Sequence, residues 1–258
     1  MSDSTERPSG RTALVIPCFN EAARLRVEDI NVLRKVTDAR VVFVDDGSTD
    51  GTDRLIADLV DEAPDRLALL RLPVNRGKAE AVRLGLLHAI EGGATIVGYA
   101  DADFATPAAE VARLLDIAAD APVEVVLGCR VARLGADIER PAVRHYGGRV
   151  FGTAASLALR MTVYDTQCGA KVFRVSDTLR AALATPFQSR WAFDVELLDR
   201  LRWSSDGSTA LHPDQFLEVP LQSWRHVDGS KLDARGSVDA FGLVLRLIWR
   251  RRSAFRRR

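Results

Sequence analysis

The sequence predicts an α/β fold in which helices flank a mostly parallel central sheet. Short apolar runs of strand length alternate with longer stretches whose apolar residues recur every three or four positions. Buried strands that alternate with crossover helices form mostly parallel sheets covered on both faces. The chain has 258 residues, of which 47% are hydrophobic and 28% charged, so it is long enough and apolar enough to bury such a core.

These patterns predict strands and helices mainly in the first half of the chain. The predicted strands are Thr12–Ile16, Arg40–Val44, Leu67–Leu72, Thr95–Tyr99 and Val123–Leu127. The predicted helices are Thr52–Val60, Lys78–Ile90 and Val111–Ile117, the last of which follows Pro107, a residue favoured near helix starts. From about residue 130 onwards the pattern is less regular, and no internal repeat or linker divides the sequence.

Polar segments follow the first four predicted strands. In chain order they are IPCFNE, DDGSTD, NRGK and DADFATP. Ligands of parallel α/β sheets bind at the carboxyl ends of the strands. The four segments are therefore expected to meet at one edge of the sheet and to form a binding site there.

Two acidic pairs stand out in these segments. Asp101 and Asp103 are one residue apart, so both carboxylates can reach one hard cation such as Mg²⁺ or Mn²⁺, which binds one or two carboxylates together with substrate phosphates. The alternative is that Asp103 caps a helix beside a solvated Asp101. Asp45 and Asp46 lie in VDDGSTDGT, which also has the residues of a capping turn. Because capping does not require both acids, one of them is expected to accept a hydrogen bond from a base or a ribose.

The segments IPCFNE, VDDGSTDGT, NRGKAEAVRLG and DADFAT, in this order and spacing, resemble the family 2 glycosyltransferases with the GT-A fold. Further segments narrow the resemblance to the branch that makes polyprenyl-phosphate sugars, above all the dolichyl-phosphate β-glucosyltransferases, with the mannose synthases close by. They are DTQCGAKVF (165–173), RWAFDVELL (190–198) and EVPLQSWRHVDGSK (218–231). The chain departs from the family pattern at Phe19, where tyrosine is common, and at Ala79, where glycine is usual.

The resemblance implies one GT-A domain over residues 12–237. Residues 12–129 would form the nucleotide-sugar half and residues 130–237 the acceptor half, after a disordered segment over residues 1–11. The implied reaction is the inverting transfer of a hexose, glucose or else mannose, from a UDP- or GDP-sugar to a polyprenyl phosphate. The implied cofactor is Mg²⁺ or Mn²⁺.

The resemblance also implies roles for the donor residues. Asp101 and Asp103 would bind the metal, with the backbone of Ala102 close to the nucleotide, and Lys78 would lie near the diphosphate. The remaining donor contacts would be Pro17, Phe19 and Glu21 around the nucleoside, Asp45 and Asp46 at base and ribose, and Gln167 at the donor or its sugar.

The chemistry of the acceptor decides what the second half must supply. A sugar hydroxyl would need a general base, for which Asp194 is the candidate. A phosphate monoester is largely dianionic at neutral pH and needs cations to hold it instead, and Asp194 would then position a cation or the acceptor loop. Arg130 is the leading phosphate ligand, because it stands where the family has a G-S-R sequence and its planar fork grips phosphate oxygens. The other candidate cations are Arg144, Lys171, Arg190 and Lys231.

Two rival functions remain open from the sequence. One is a transferase of the same fold with a soluble hydroxyl acceptor and Asp194 as its base. The other is a nucleotidyltransferase or a nucleotide-sugar-binding module. IPCFNE lacks the glycine-rich basic loop of a pyrophosphorylase, and no G-x-G-x-x-G segment follows a predicted strand, which argues against a dehydrogenase.

The C-terminal segment 238–258 predicts an amphipathic basic helix. Seven of its last thirteen residues are arginines, and the apolar run Phe241–Trp249 is too short to span a bilayer. Such a segment is typical of helices that lie on anionic membrane surfaces. One alternative is a core-packed last helix with a solvated tail. A nucleic-acid-binding tail is the least favoured alternative, so no nucleic acid is expected as a partner. Three scattered cysteines and the polar N-terminus predict a cytoplasmic protein, peripheral on the cytoplasmic face of a membrane.

Overall fold

The structure, a computed structural model, describes residues 11–138, 142–203, 209–227 and 234–255. For residues 142–147, 234–238 and 251–255 it describes the helical backbone without the side chains. The strands are β1 (Thr12–Cys18), β2 (Arg40–Asp45), β3 (Leu67–Arg71), β4 (Ile96–Ala100), β5 (Val125–Cys129), β6 (Asp137–Ile138), β7 (Ala170–Arg174), β8 (Phe216–Pro220) and β9 (Ser223–Trp224). The helices are α1 (Val27–Val36), α2 (Thr52–Glu62), α3 (Lys78–Glu91), α4 (Ala108–Asp120), α5 (Ala142–Leu159), α6 (Asp177–Leu183), α7 (Phe193–Arg202) and α8 (Ala234–Phe255).

The main sheet has the strand order β3-β2-β1-β4-β7-β5-β8. All neighbouring strands are parallel except for the two pairs that contain β7, which runs antiparallel to both β4 and β5. The mostly parallel sheet flanked by helices is therefore confirmed. The sequence patterns gave no expectation for β7, whose insertion joins the two expected halves of the domain in one continuous sheet.

The reversed direction of β7 determines which segments lie at the edge of the sheet where the parallel strands end. The register pairs Ala100 at the end of β4 with Ala170 at the start of β7. Because β7 runs against its neighbours, the segment that precedes it arrives at the edge where β1, β2, β4 and β5 end. The DTQCG segment and Arg130, which follows β5, thus lie at the same edge as Asp101 and Asp103.

The sheet is buried on both faces by two sets of helices. One apolar cluster includes Val15 and Val42 from the sheet with helices α3, α5, α7 and α8, and the other includes Leu14 and Val41 with α1, α2 and α4. Alternate residues of each strand point to opposite faces, which explains this division. Helix α3 packs so closely on β1 that a Cβ at Gly85 of the helix would overlap the side chain of Val15.

Helix α8 includes the described part of the segment expected to be an amphipathic helix, and it begins before residue 238. Ala240, Leu243, Val244 and Leu247 are buried in the core cluster that also includes α5 and α7 residues. Its opposite side is exposed. Nowhere in the described part of the chain is a helix both long and apolar enough to cross a membrane. Residues 1–10 and 256–258 of the expected terminal segments lie outside the described residues.

Candidate active site

A cleft of about 410 Å³ opens at the carboxyl edge of the sheet. This volume lies within the range of small-molecule sites. Ten of the sequence-predicted site residues line it: Pro17, Phe19, Glu21, Asp46, Lys78, Asp101, Ala102, Asp103, Arg130 and Arg190. The loops expected to meet at one edge therefore do so.

The loop after β1 is held by the loop after β2. Asn20 adopts a left-handed conformation with φ of 50°, and its backbone N–H donates to Ser48 Oγ at 2.9 Å. The Asn20 side chain accepts from the backbone of Thr49 at 2.9 Å, and the N–H of Glu21 donates to Thr52 Oγ1 at 2.8 Å. The polar residues of GSTDGT thus fix Phe19 and Glu21 at the cleft in addition to starting α2.

Asp45 and Asp46 have different positions. Asp46 lines the cleft, and its two carboxylate oxygens accept the backbone N–H groups of Arg76 and Gly77, each at 2.7 Å. Burial raises the pKa of Asp46, although these hydrogen bonds oppose the shift. Asp45 is buried, accepts the Ser48 N–H at 3.3 Å, and is not among the described residues that line the cleft. Asp46 therefore positions the NRGK loop, and contact of Asp45 with base or ribose stays a prediction that this placement disfavours.

Asp101 and Asp103 lie in the turn after β4, and each faces a cation of the chain. Lys78 Nζ, at the start of α3, is 2.5 Å from Asp101 Oδ1. Arg24 Nη2, from the turn after β1, donates to Asp103 Oδ2 at 2.8 Å. Burial raises the pKa of Asp103, and the negative charge of Asp101 adds to the shift. Although burial opposes the charge of Lys78, Asp101 and then Asp194 raise its pKa.

The surroundings of this acidic pair fit a divalent cation. Asp101 Oδ1 is buried, and its described polar partner is the ammonium group of Lys78, a side chain that is 32% exposed. A Cβ at Gly169 would overlap the Asp101 carboxylate, so only glycine leaves this space beside it. The described residues contain no cluster of three His, Cys, Asp or Glu side chains that could hold a metal. Two carboxylates would therefore leave coordination positions for phosphate oxygens, which is the arrangement that Mg²⁺ favours.

Arg130 is held rigidly at the cleft by Asp165. Its Nε and Nη2 donate to the two carboxylate oxygens of Asp165 at 2.6 and 2.8 Å, and its backbone N–H donates at 3.1 Å. The guanidinium lies 5.3 Å from the ring centroid of Trp224. Glu218 on β8 in turn accepts the backbone N–H groups of Tyr164 and Asp165 at 2.9 and 2.7 Å. The DTQCG segment thus supplies the partner that orients Arg130.

Asp194 and Lys171 form a buried ion pair. Lys171 is fully buried on β7, and its Nζ donates to Asp194 Oδ1 at 2.6 Å and to the carbonyl of Cys168 at 2.5 Å. The hydroxyl of Tyr99 also donates to Asp194 Oδ1. Burial, followed by the charge of Asp194, raises the pKa of Tyr99 well above its usual value. Neither member of the pair is among the described residues that line the cleft, which disfavours direct acceptor contact by Lys171.

The remaining expected site residues divide into three groups. Arg190 lines the cleft, but its described hydrogen-bond partner is Asn75 Oδ1 at 2.9 Å rather than Asp194. Gln167 is not among the described lining residues. The side chain of Arg144 and the whole of Lys231 lie outside the described residues.

Several lining residues were not singled out from the sequence. Asn75 and Gly169 belong to the segments NRGK and DTQCG, and Arg24 follows IPCFNE by three residues, but no local pattern marked these positions individually. By contrast, the sequence makes Trp191 and Trp224 candidates either for stacking on the hexose ring or for the core, and both line the cleft. Their exposure to the cleft depends on tertiary packing, which the pattern of a single segment does not carry.

Comparison with known proteins gives consistent relatives. The profile described as Glycosyl transferase family 2 matches residues 13–179. A dolichyl-phosphate beta-glucosyltransferase of Mus musculus is 31% identical over 256 residues, covering 88% of this chain and 71% of the relative. A polyprenol monophosphomannose synthase of Mycolicibacterium smegmatis is 27% identical over 194 residues, covering 75% and 73%.

Solved structures agree on the fold. Glucosyl-3-phosphoglycerate synthase from Mycobacterium tuberculosis, in complex with uridine-diphosphate, has a TM-score of 0.66 at 19% identity, covering 93% of this chain and 80% of the other. A mannosyltransferase from Pyrobaculum calidifontis, in complex with GDP-Man and Mn²⁺, has a TM-score of 0.58 at 19% identity, covering 92% and 64%. The expected GT-A fold is confirmed.

The buried pair predicts a specific pattern of stability losses. Lys171→Met and Asp194→Asn should each lower the free energy of unfolding by about 3–5 kcal/mol, because each leaves a buried charge without its partner. The double variant should lose clearly less than the sum of the two, because it leaves neither charge. Denaturant unfolding of the four proteins measures this. Strictly additive losses would contradict a direct charge pairing.

Proposed function

We propose that this chain, which belongs to glycosyl transferase family 2, transfers a hexose from a nucleotide-sugar to a polyprenyl phosphate with inversion. The preferred hexose is glucose. The observation that carries the proposal is that one cleft combines the acidic pair Asp101 and Asp103 with the guanidinium of Arg130. The acidic pair suits a cation beneath a diphosphate, and the guanidinium suits a second phosphate.

The donor side of the cleft has the groups that a leaving diphosphate requires. Asp101 and Asp103 would hold Mg²⁺ or Mn²⁺, which neutralises the charge that develops on the departing nucleotide. Lys78 lies beside this pair and would contact the diphosphate. Pro17, Phe19 and Glu21 lie at the cleft and would contact the nucleoside. The two structural neighbours described above, with bound UDP and with GDP-Man and Mn²⁺, support a nucleotide donor and a divalent cation.

The acceptor side favours a phosphate over a hydroxyl. A phosphate monoester is largely dianionic at neutral pH, so no side chain has to remove a proton before it attacks the anomeric carbon. The requirement is instead a fixed cation that orients the acceptor in line with the leaving group. Arg130, fixed by two hydrogen bonds to Asp165, meets this requirement. The names of the polyprenyl-phosphate relatives support the same acceptor class.

The rival with a hydroxyl acceptor depends on Asp194 as a base. That carboxylate is buried and is bound by Lys171 and Tyr99. Proton transfer to it from a bound acceptor would require these partners to move. We therefore assign Asp194 to positioning, through the strands that carry Tyr99 and Lys171, and not to proton abstraction.

The exposed side of α8 has the residues expected of a membrane-contacting helix, and the protein would reach its lipid acceptor at that membrane. Phe241, Leu245 and Trp249 recur every four residues and are 39%, 62% and 74% exposed. Arg246 and Arg250 are exposed one position further along. An apolar stripe beside arginines is the pattern of helices that lie in the headgroup region of anionic bilayers. We place this contact on the cytoplasmic face.

The acceptor assignment predicts that Arg130→Ala lowers kcat/KM for a short polyprenyl phosphate by about 100-fold, because a charge-assisted contact to the dianion is lost. Arg133→Ala, at an exposed arginine three residues away, is the matched control and should be close to wild type. Transfer is measured with radiolabelled UDP- and GDP-sugars, with metal present or chelated. Label should enter the lipid phase from UDP-glucose and only with the metal.

Two results would contradict this proposal, one for its acceptor and one for its transferase activity. Full activity of Arg130→Ala, together with soluble sugars that outperform the lipid, would establish the hydroxyl-acceptor rival. Binding of a nucleotide-sugar without transfer to any acceptor in the panel would instead indicate an inert binding module.

The membrane assignment predicts that exchanging Arg246 and Arg250 for glutamate weakens binding to vesicles containing anionic lipid by more than about 10-fold, since each arginine contributes about 1 kcal/mol near such a surface. Leu245→Ser with Trp249→Ala should weaken it as well, through lost apolar insertion. The control is Val32→Ala with Val36→Ala, two exposed apolar residues on α1. Co-sedimentation at several salt concentrations measures binding, and equal partitioning of all variants would contradict the assignment.

A further inference from the structure

Each carboxylate of the acidic pair already has a cation of the chain as its counterion. Lys78 Nζ is 2.5 Å from Asp101 Oδ1, and Arg24 Nη2 is 2.8 Å from Asp103 Oδ2. The two cations come from different elements, Lys78 from the start of α3 and Arg24 from the turn after β1. Both line the cleft. The acidic pair and its two counterions together carry no net charge.

This neutrality opposes a divalent cation that arrives alone. A cation bound at Asp101 and Asp103 would share these oxygens with Lys78 and Arg24 and would give the group a double positive charge. A nucleotide-sugar diphosphate carries one negative charge on each of its phosphates. Metal and diphosphate together therefore restore neutrality, whereas either one alone leaves charge uncompensated in a cleft of reduced polarity, where such charge is costly.

We propose that Lys78 and Arg24 are exchanging counterions, which suppress metal binding before the donor arrives and then transfer their pairing to the donor diphosphate. The inference rests on the proposed donor site and adds a control over the order of binding. Metal and nucleotide should each raise the affinity for the other by the same factor, because coupling free energies are reciprocal.

Two features of the site support the exchange. The described residues offer no third acidic or histidine ligand, so the metal has coordination positions that nucleotide oxygens can fill in place of water. Arg24 also has an alternative anion, because its Nε lies 3.4 Å from Glu21 Oε2. The guanidinium can therefore release Asp103 and stay paired at the cleft. The long side chains of Arg24 and Lys78 are 25% and 32% exposed, respectively, so both can reorient without disturbing the core.

The test is a titration of the free protein with Mn²⁺, followed by electron paramagnetic resonance, with and without UDP. Lys78→Met and Arg24→Met should each bind Mn²⁺ about 5- to 10-fold more tightly than wild type when UDP is absent, since one competing positive charge is gone. The factor by which UDP raises Mn²⁺ affinity should fall in both variants. Arg26→Met is the matched control, because Arg26 pairs with Asp29 at 3.2 Å and not with the acidic pair. Lys78→Gln and Arg24→Gln repeat the measurement with side chains that keep polarity, and circular dichroism confirms folding.

The outcomes separate this inference from the function on which it rests. Wild type that transfers sugar, with variants whose Mn²⁺ affinity and UDP coupling are unchanged, would overturn the exchange and leave the proposed function standing. Wild type that binds no UDP in the presence of Mn²⁺ would overturn the donor site, and the exchange with it.

Discussion

The antiparallel insertion of β7 between β4 and β5 is the constraint on which the site depends. Its register with β4 pairs Ala100 with Ala170, which brings Gly169 against the carboxylate of Asp101. The same insertion delivers Asp165 to the end of β5, where it fixes Arg130. If β7 ran parallel to its neighbours, the DTQCG segment would enter at the opposite edge of the sheet. The donor and acceptor sides of the cleft meet because one strand is reversed.

Charge pairing gives the cleft and the buried core different roles. Away from the described lining of the cleft, the charge of Asp194 is neutralised by Lys171, and Asp194 accepts a hydrogen bond from the hydroxyl of Tyr99, which ties β4, β7 and α7 together. Such a pair contributes little net stability, since the desolvation of both charges offsets their attraction, but the loss of either partner is costly. At the cleft, the pairs Lys78–Asp101 and Arg24–Asp103 are partly exposed and exchangeable, whereas Arg130–Asp165 is fixed. The buried pair therefore supports the scaffold, and the exposed pairs are available for ligands.

The sequence predicted the parts of this arrangement that local patterns encode. Strand ends followed by polar segments located Asp101, Asp103 and Phe19 at one edge, because parallel strands share a direction. The strand β7 was not predicted, because its five residues are too few to show a clear strand pattern. Its antiparallel pairing with β4 and β5 depends on distant residues that a local pattern does not reveal. Asp165 as the anchor of Arg130 and Arg24 as the counterion of Asp103 were missed for the same reason, as their partners are 35 and 79 positions away in the chain. Lys171 is a different case: its motif makes it a candidate cation for the acceptor, whereas the structure pairs its buried charge with Asp194, so its contact with the acceptor stays a prediction.

The central claim is that a cation-bound diphosphate and an acceptor phosphate occupy the same cleft. Anomalous diffraction from crystals grown with Mn²⁺, UDP and a short polyprenyl phosphate tests it most directly. The account predicts Mn²⁺ coordinated by both Asp101 and Asp103 together with diphosphate oxygens, and the lipid phosphate on the guanidinium of Arg130. A manganese peak away from this acidic pair, or a lipid phosphate bound apart from Arg130, would contradict it.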